Sequence, residues 1–224
     1  MEILLCILTG YLLGCLSPAA MFSKLKKKDL RTEGTGNLGA TNVTMVLGRK
    51  YGAFVLFFDI AKAFIAVKLA QALFPAFIAA GLLAGAAAVA GHIYPFYLKF
   101  KGGKGLAAFG GYILGIDPLL FVFLFVFALA LMFVINYSAA MPISAAVLFP
   151  ILYGVRTGCD ASMLIVTAVD CLIICKFWSN LVKAIHGEDI TVREYVRDHL
   201  FAKRRLDKAE VRGNLLADNI KSCD

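Results

Sequence analysis

Long apolar runs alternate with short polar breaks along this chain, and the runs are of bilayer length. Ile3–Phe22 is apolar for about 20 residues, enough to cross ~30 Å of hydrocarbon. Ser17-Pro18 falls near its end and predicts a kink or an unwound turn. Tyr51–Phe74 forms a second span and Ala76–Ile93 a third. The third is rich in Ala and Gly, which lets neighbouring helices approach closely. Leu106–Val134 is apolar throughout but is interrupted by Asp117-Pro118, where proline breaks or kinks a helix. Two further stretches run from about Ala139 to Tyr153 and from Ala161 to Phe177.

Charge placement orients these spans. Ser23–Lys50 opens with Lys24, Lys26, Lys27 and Lys28, and Lys99, Lys101 and Lys104 follow the third span. The chain after the last span begins with Lys176, Lys183, Arg193 and Arg197. Positive loops stay on the cytoplasmic side. All three polar stretches share that side only if Leu106–Val134 crosses twice, splitting at Asp117-Pro118. The expectation is an all-α integral membrane protein with about seven transmembrane helices, the amino terminus outside and the carboxyl terminus cytoplasmic. Arg156 and Asp160 then lie outside. Residues 1–187 form the membrane domain. Residues 188–224 form a cytoplasmic amphipathic helical tail, opened by a Thr191–Glu194 capping box. Its Lys203-Arg204-Arg205 run suits anionic headgroups.

Composition agrees. Of 224 residues, 60% are hydrophobic, against about 45–50% apolar residues in soluble domains. Mean hydropathy is +0.79. Glu2 stands where a cleavable signal peptide has a basic start, so none is expected. The net charge is +8, yet residues 188–224 hold eight basic and eight acidic side chains. The excess therefore sits in the membrane domain and points to anionic substrates rather than nucleic acid. Cys6, Cys15, Cys159, Cys171, Cys175 and Cys223 include no CxxC pair, so neither a disulfide framework nor a zinc site is expected. No other metal or cofactor is expected.

The chemistry concentrates in Lys99-Phe100-Lys101-Gly102-Gly103-Lys104-Gly105. Glycine bares backbone amides and lysine adds a movable positive charge, a combination suited to phosphate. A basic loop that merely marks the cytoplasmic side does not require the glycines. Gly34-Thr35-Gly36-Asn37-Leu38-Gly39-Ala40-Thr41-Asn42 is a second such stretch. It contains GxGxxG, with Asp59 about twenty residues on, but a dinucleotide fingerprint follows a hydrophobic strand, and Lys26–Glu33 precedes this one. Its small and amide residues instead suit phosphate at a helix foot. The third stretch, Lys176–Asp189, carries Asn180, Lys183, His186 and Gly187. Inside the second span, Asp59 and Lys62 lie three apart on one helical face, as a structural bridge or as support for the site. His92 closes the third span and reads as a hydrogen-bonded structural residue.

Asp29-Leu30-Arg31, GTGNLGATN, His92-Ile93-Tyr94-Pro95 running into FKGGKG, Asp59 with Lys62, and Asn180 with Gly187 together resemble the bacterial membrane acyl-phosphate:glycerol-3-phosphate acyltransferases, the PlsY family. The resemblance covers roughly residues 5–190, in order. It implies transfer of a fatty acyl group from acyl phosphate to the 1-hydroxyl of glycerol 3-phosphate, at the cytoplasmic face of the bacterial plasma membrane. It implies that Lys104, Asn180 and Thr35 are catalytic. Gly34, Gly36, Asn37, Gly39, Thr41, Asn42, Lys101, Gly102, Gly103, Gly105 and Lys183 would hold substrate, with Asp29, Arg31, Asp59, Lys62 and His92 in support. The chain departs from the family pattern at several places. Thr35 replaces Ser, Met45 replaces Arg, Phe177 replaces His, and Lys183 and Asn136 each replace Arg. Ala139 replaces Ser and Asp189 replaces Glu. These changes keep open a relative that acylates another phosphorylated alcohol, or a non-catalytic binder of acyl phosphate or phospholipid. A small anion transporter would show discontinuous spans in both halves, and only Asp117-Pro118 hints at one.

Overall fold

The computed structural model describes residues 1–158, 161–188, 191–194 and 197. Cys159, Asp160, Asp189, the Lys203–Arg205 run and Cys223 lie outside the described residues, as does most of the tail. Among the described residues the chain is all helical. The elements are α1 (Glu2–Cys15), α2 (Pro18–Leu25), α3 (Ala40–Leu47), α4 (Arg49–Leu73), α5 (Ala80–Ile93), a 3₁₀ turn (Phe96–Leu98), α6 (Leu106–Ile116), α7 (Pro118–Ile135), α8 (Ala140–Thr157) and α9 (Ser162–Ile185). Five segments among the described residues are long and apolar enough to cross a bilayer: Glu2–Leu25, Ala80–Leu98, Pro118–Ile135, Ala140–Thr157 and Ser162–Ile185. The 11-residue α6 is apolar but shorter, and the 25-residue α4 carries Asp59, Lys62 and Lys68.

Both expected breaks are real. Ser17 caps α2, its hydroxyl accepting from Ala20 N at 3.3 Å. Asp117 ends α6 and caps α7, accepting from Leu120 N at 3.0 Å, with Pro118 in the first turn where its missing N–H costs nothing. Asp117 Oδ2 also pairs with Arg156 Nε at 3.0 Å, tying the α6–α7 corner to the end of α8.

Small residues set the packing. A Cβ on Gly10 would lie 2.1 Å from Ala84 O, and one on Gly14 would lie 2.1 Å from Ala88 O. From the other side, a Cβ on Gly91 would meet Tyr11 O at 2.3 Å. Helices α1 and α5 therefore touch backbone to backbone, the arrangement that replaces the hydrophobic drive lost in lipid. Gly111 of α6 lies against Ile60 O of α4 in the same way. Around these contacts, Phe109, Tyr112 and Phe149 pack edge to face in the main core.

Two boundaries differ from expectation. The last span does not stop at Phe177. Helix α9 continues to Ile185 because Trp178, Leu181, Val182 and Ile185 extend the apolar set, so Asn180 and Lys183 stand on a helix rather than on a loop after it. The stretch 23–50 contains the two-turn helix α3, so Thr41 and Asn42 are also helical.

Candidate active site

Loop 26–39, loop 94–105 and the end of α9 come together. Leu98 packs on the cluster of Leu30, Leu38 and Val43, joining the first two loops. Arg31 Nη2 donates to Leu98 O at 3.3 Å and to Lys101 O at 3.1 Å. Arg31 is itself set by an Asx turn, since Asp29 Oδ1 accepts from Arg31 N at 3.0 Å. The third segment arrives through Lys104. Its Nζ donates to Asn180 Oδ1 and lies 5.4 Å from the centre of the Phe177 ring. Lys176 Nζ stands 4.2 Å over the Tyr94 ring, a second bond between α9 and the loop.

The glycines act differently from the expectation. Gly102 N donates to Ile93 O at 3.0 Å and Gly103 N to His92 O at 3.2 Å. A Cβ on Gly102 would meet His92 O at 2.1 Å. Gly102 and Gly103 thus fold the loop back over the end of α5; their amides are occupied and are not turned to a phosphate. In the first loop, Thr35 N donates to Asn42 Oδ1 at 2.7 Å and Gly36 N to Glu33 O at 3.1 Å. Asn42 is buried and its Nδ2 donates to Leu30 O at 2.7 Å, so Asn42 shapes the loop instead of offering its side chain to substrate. Gly34 and Gly36 both need their left-handed backbone, at φ +62° and +70°. The opening amides of α3 after Gly39, and of α6 after Gly105, remain as helix N-termini suited to anions.

Thr35, Thr41, Lys101 and Lys183 are exposed, Asn37, Lys104 and Asn180 half-buried. Met45 is exposed on α3. Beneath the second loop lie Asp59, Lys62 and His92, each under 8% exposed, with Lys62 Nζ 2.8 Å from Asp59 Oδ1. Among the described residues no set of three His, Cys, Asp or Glu side chains could hold a metal ion.

Several contacts were missed in the sequence. Tyr11 OH donates to Tyr94 O at 2.8 Å and Tyr97 OH to Cys15 O at 2.7 Å, pinning the second loop to α1. Asn136, in a left-handed turn after α7, accepts from Val192 N and Arg193 N, each at 3.0 Å. These bonds join residues far apart in sequence, so no local pattern marks them. The Thr191–Glu194 capping box was legible and is present: Glu194 N donates to Thr191 Oγ1 at 3.2 Å and Thr191 N to Glu194 Oε2 at 3.1 Å. Those donors hold the exposed Glu194 carboxyl below its ordinary range, the backbone N–H of Thr191 contributing most.

Known proteins share this arrangement. The family described as glycerol-3-phosphate acyltransferase matches residues 4–187. A Staphylococcus aureus (strain bovine RF122 / ET3-1) protein named glycerol-3-phosphate acyltransferase is 35% identical over 202 residues, covering 86% of this chain and 99% of that protein. The same protein name, identity and coverage recur in S. aureus strain Newman. Among solved structures, the glycerol 3-phosphate form of PlsY (YgiH), an integral membrane glycerol 3-phosphate acyltransferase, is 32% identical. It superposes with a TM-score of 0.79 over 85% of this chain and 96% of that one. The lysophosphatidic acid form is 31% identical with a TM-score of 0.77 over 85% and 95%. The chain is an integral membrane protein and belongs to the glycerol-3-phosphate acyltransferase family, PlsY.

Proposed function

We propose that this protein transfers a fatty acyl group from acyl phosphate to the 1-hydroxyl of glycerol 3-phosphate, releasing lysophosphatidic acid and inorganic phosphate. The observation that carries the reading is the Lys104–Asn180 hydrogen bond, which joins two segments 76 residues apart beside loops rich in phosphate-compatible groups. The hydroxyl oxygen attacks the acyl carbonyl, the carbon–oxygen bond to phosphate breaks, and the phosphate departs with the electron pair. The hydroxyl proton passes to a substrate phosphate oxygen. A mixed anhydride is activated already, so the protein's task is to orient the carbonyl and to stabilise developing negative charge.

Lys104 meets that charge, with Asn180 holding its ammonium. Thr35, Asn37, Thr41, Lys101 and Lys183 are the exposed or half-buried groups suited to the two phosphates, together with the N-termini of α3 and α6. Gly34, Gly36, Gly39, Gly102, Gly103 and Gly105 give the loops their path, while Asp29, Arg31, Asn42, Asp59, Lys62 and His92 support them. Counting α4 and α6 with the five apolar segments gives seven crossings. The amino terminus is then outside, and the site and residues 188–224 lie at the cytoplasmic face of a bacterial plasma membrane.

The test is phosphate release by the purified protein in lipid, from acyl phosphate, with and without glycerol 3-phosphate. Release that requires the acceptor is expected. Silence with both substrates, together with tight acyl-phosphate binding, would make the protein a binder. Release with a different phosphorylated alcohol alone would reassign the acceptor.

A further inference from the structure

Lys62 Nζ is surrounded by three acceptor positions. Leu16 O lies at 2.7 Å, Asp59 Oδ1 at 2.8 Å and His92 Nδ1 at 3.0 Å. An ammonium has three N–H donors and no lone pair. Two of those donors meet Leu16 O and His92 Nδ1 in hydrogen bonds, while Asp59 Oδ1 faces the ammonium as its counter-ion without hydrogen-bond geometry, so His92 Nδ1 turns its lone pair toward Lys62. His92 Nδ1 also lies 3.3 Å from Asp59 Oδ1. That separation is the spacing of two acceptors drawn to one ammonium, not a bond between them. A proton on Nδ1 would point at the Lys62 ammonium and leave one of its donors without an acceptor, among side chains that are almost wholly buried. A neutral imidazole that accepts at Nδ1 carries its proton on Nε2.

Nε2 faces the second loop. A Cβ on Gly103 would lie 2.2 Å from it, so the ring fills the side-chain space of Gly103. The His92 carbonyl accepts from Gly103 N, so ring and carbonyl grip the same residue, one position before Lys104.

We propose that Lys62 locks His92 as the neutral Nε2–H tautomer, and that this ring is the positioning residue that sets the Gly103–Lys104 peptide and so aims the Lys104 ammonium. The chain of contacts runs from the carbonyl of Leu16, just past the end of α1, through α4 to α5 and then to the loop. Buried charge therefore orients a side chain that does not itself touch substrate. The inference rests on Lys104 acting at the site, but its first test does not use activity.

The test begins with the full-length protein in lipid, labelled with nitrogen-15 histidine, the His92 signals being assigned by their loss in His92→Gln. Bare Nδ1 and protonated Nε2 are expected. A proton on Nδ1, alone or with Nε2, overturns the proposal, and this measurement on the wild-type protein needs no variant to be active. Kinetics then separate positioning from bulk. The Gln amide nitrogen reaches the place of Nε2, whereas the Asn side chain reaches only that of Nδ1. His92→Gln is expected to keep kcat within about tenfold of wild type and His92→Asn to lose about a hundredfold, with KM for glycerol 3-phosphate little changed in both. Equal losses in the two variants, or losses confined to KM, would overturn the positioning role.

Discussion

Arg31 and Lys101 are joined by a hydrogen bond of 3.1 Å from guanidinium to backbone carbonyl, and the same Nη2 reaches Leu98 O at 3.3 Å. One nitrogen thereby fixes two turns of the second loop to the first. The charge of Arg31 is used on backbone, not on a phosphate. Arg31→Ala is expected to loosen the register of the two loops. Loss of a charge-assisted bond is worth about 1.5–3 kcal/mol, which corresponds to about one to two decades in turnover if it is felt at the transition state. Arg31→Lys should rescue little, because the lysine ammonium ends about one bond short of the place of Nη2 and cannot reach both carbonyls. Steady-state phosphate release checks both variants; full activity in Arg31→Ala would free the loops from this tie.

Lys104→Ala is expected to abolish turnover, and Asn180→Ala to reduce it by about one to two decades through the lost bond to the ammonium. Binding of acyl phosphate should survive in Asn180→Ala better than in Lys104→Ala, because the positive charge remains. Single-turnover phosphate release beside equilibrium binding separates the two. A wild-type rate in Lys104→Ala would remove that residue from the chemistry.

Met45 occupies an exposed place on α3, 41% accessible, where the family pattern noted above has arginine. Its thioether offers an anion nothing, whereas a guanidinium offers a bidentate fork. Met45→Arg is expected to lower KM for glycerol 3-phosphate by up to about fivefold, the share of one exposed charged contact. An unchanged KM would mean that another lysine already serves the acceptor phosphate.

Gly14 bears directly on Ala88 O. Gly14→Leu should separate α1 from α5 and cost about 1–3 kcal/mol, as overpacking does. Thermal unfolding in detergent measures it. The same variant tests the path to the site, since Tyr11 of α1 holds Tyr94 of the loop.

The Thr191–Glu194 box gives a pH dependence. Its folded carboxyl titrates below the ordinary value of 4.5 because backbone and hydroxyl donors of Thr191 favour the charged form. The unfolded turn therefore binds protons more readily. The cap's contribution is complete above about 4.5 and fades as pH falls through the lower folded value. Amide-exchange protection at Thr191, whose N–H donates to the Glu194 carboxylate, should accordingly fall as pH drops below about 4.5, and Glu194→Gln should flatten that fall. A fall that persists in Glu194→Gln would place the titrating group elsewhere.

The long apolar helices, the breaks at Ser17-Pro18 and Asp117-Pro118, and the capping box were legible because each rests on local chemistry: apolar length, proline and a three-residue spacing. The motif resemblance implies that Lys104 and Asn180 serve one site, and the structure brings them into contact. What local pattern could not carry was the direction of backbone amides. Glycines 102 and 103 look like a phosphate cradle in sequence, yet their N–H groups point back to α5. The end of α9 was misread for a related reason. Lys176, Asn180 and Lys183 look like loop polarity, but they share a helix whose other faces stay apolar.

Where Gly10 and Gly14 press on the carbonyls of Ala84 and Ala88, no side chain stands between the two main chains. An alkyl tail has nothing there to part, since separating these helices would mean prising apart backbone rather than rotating a leucine. A lysophospholipid leaving sideways into the bilayer must therefore pass some other pair of helices, and this seam serves as a fixed wall of the enzyme.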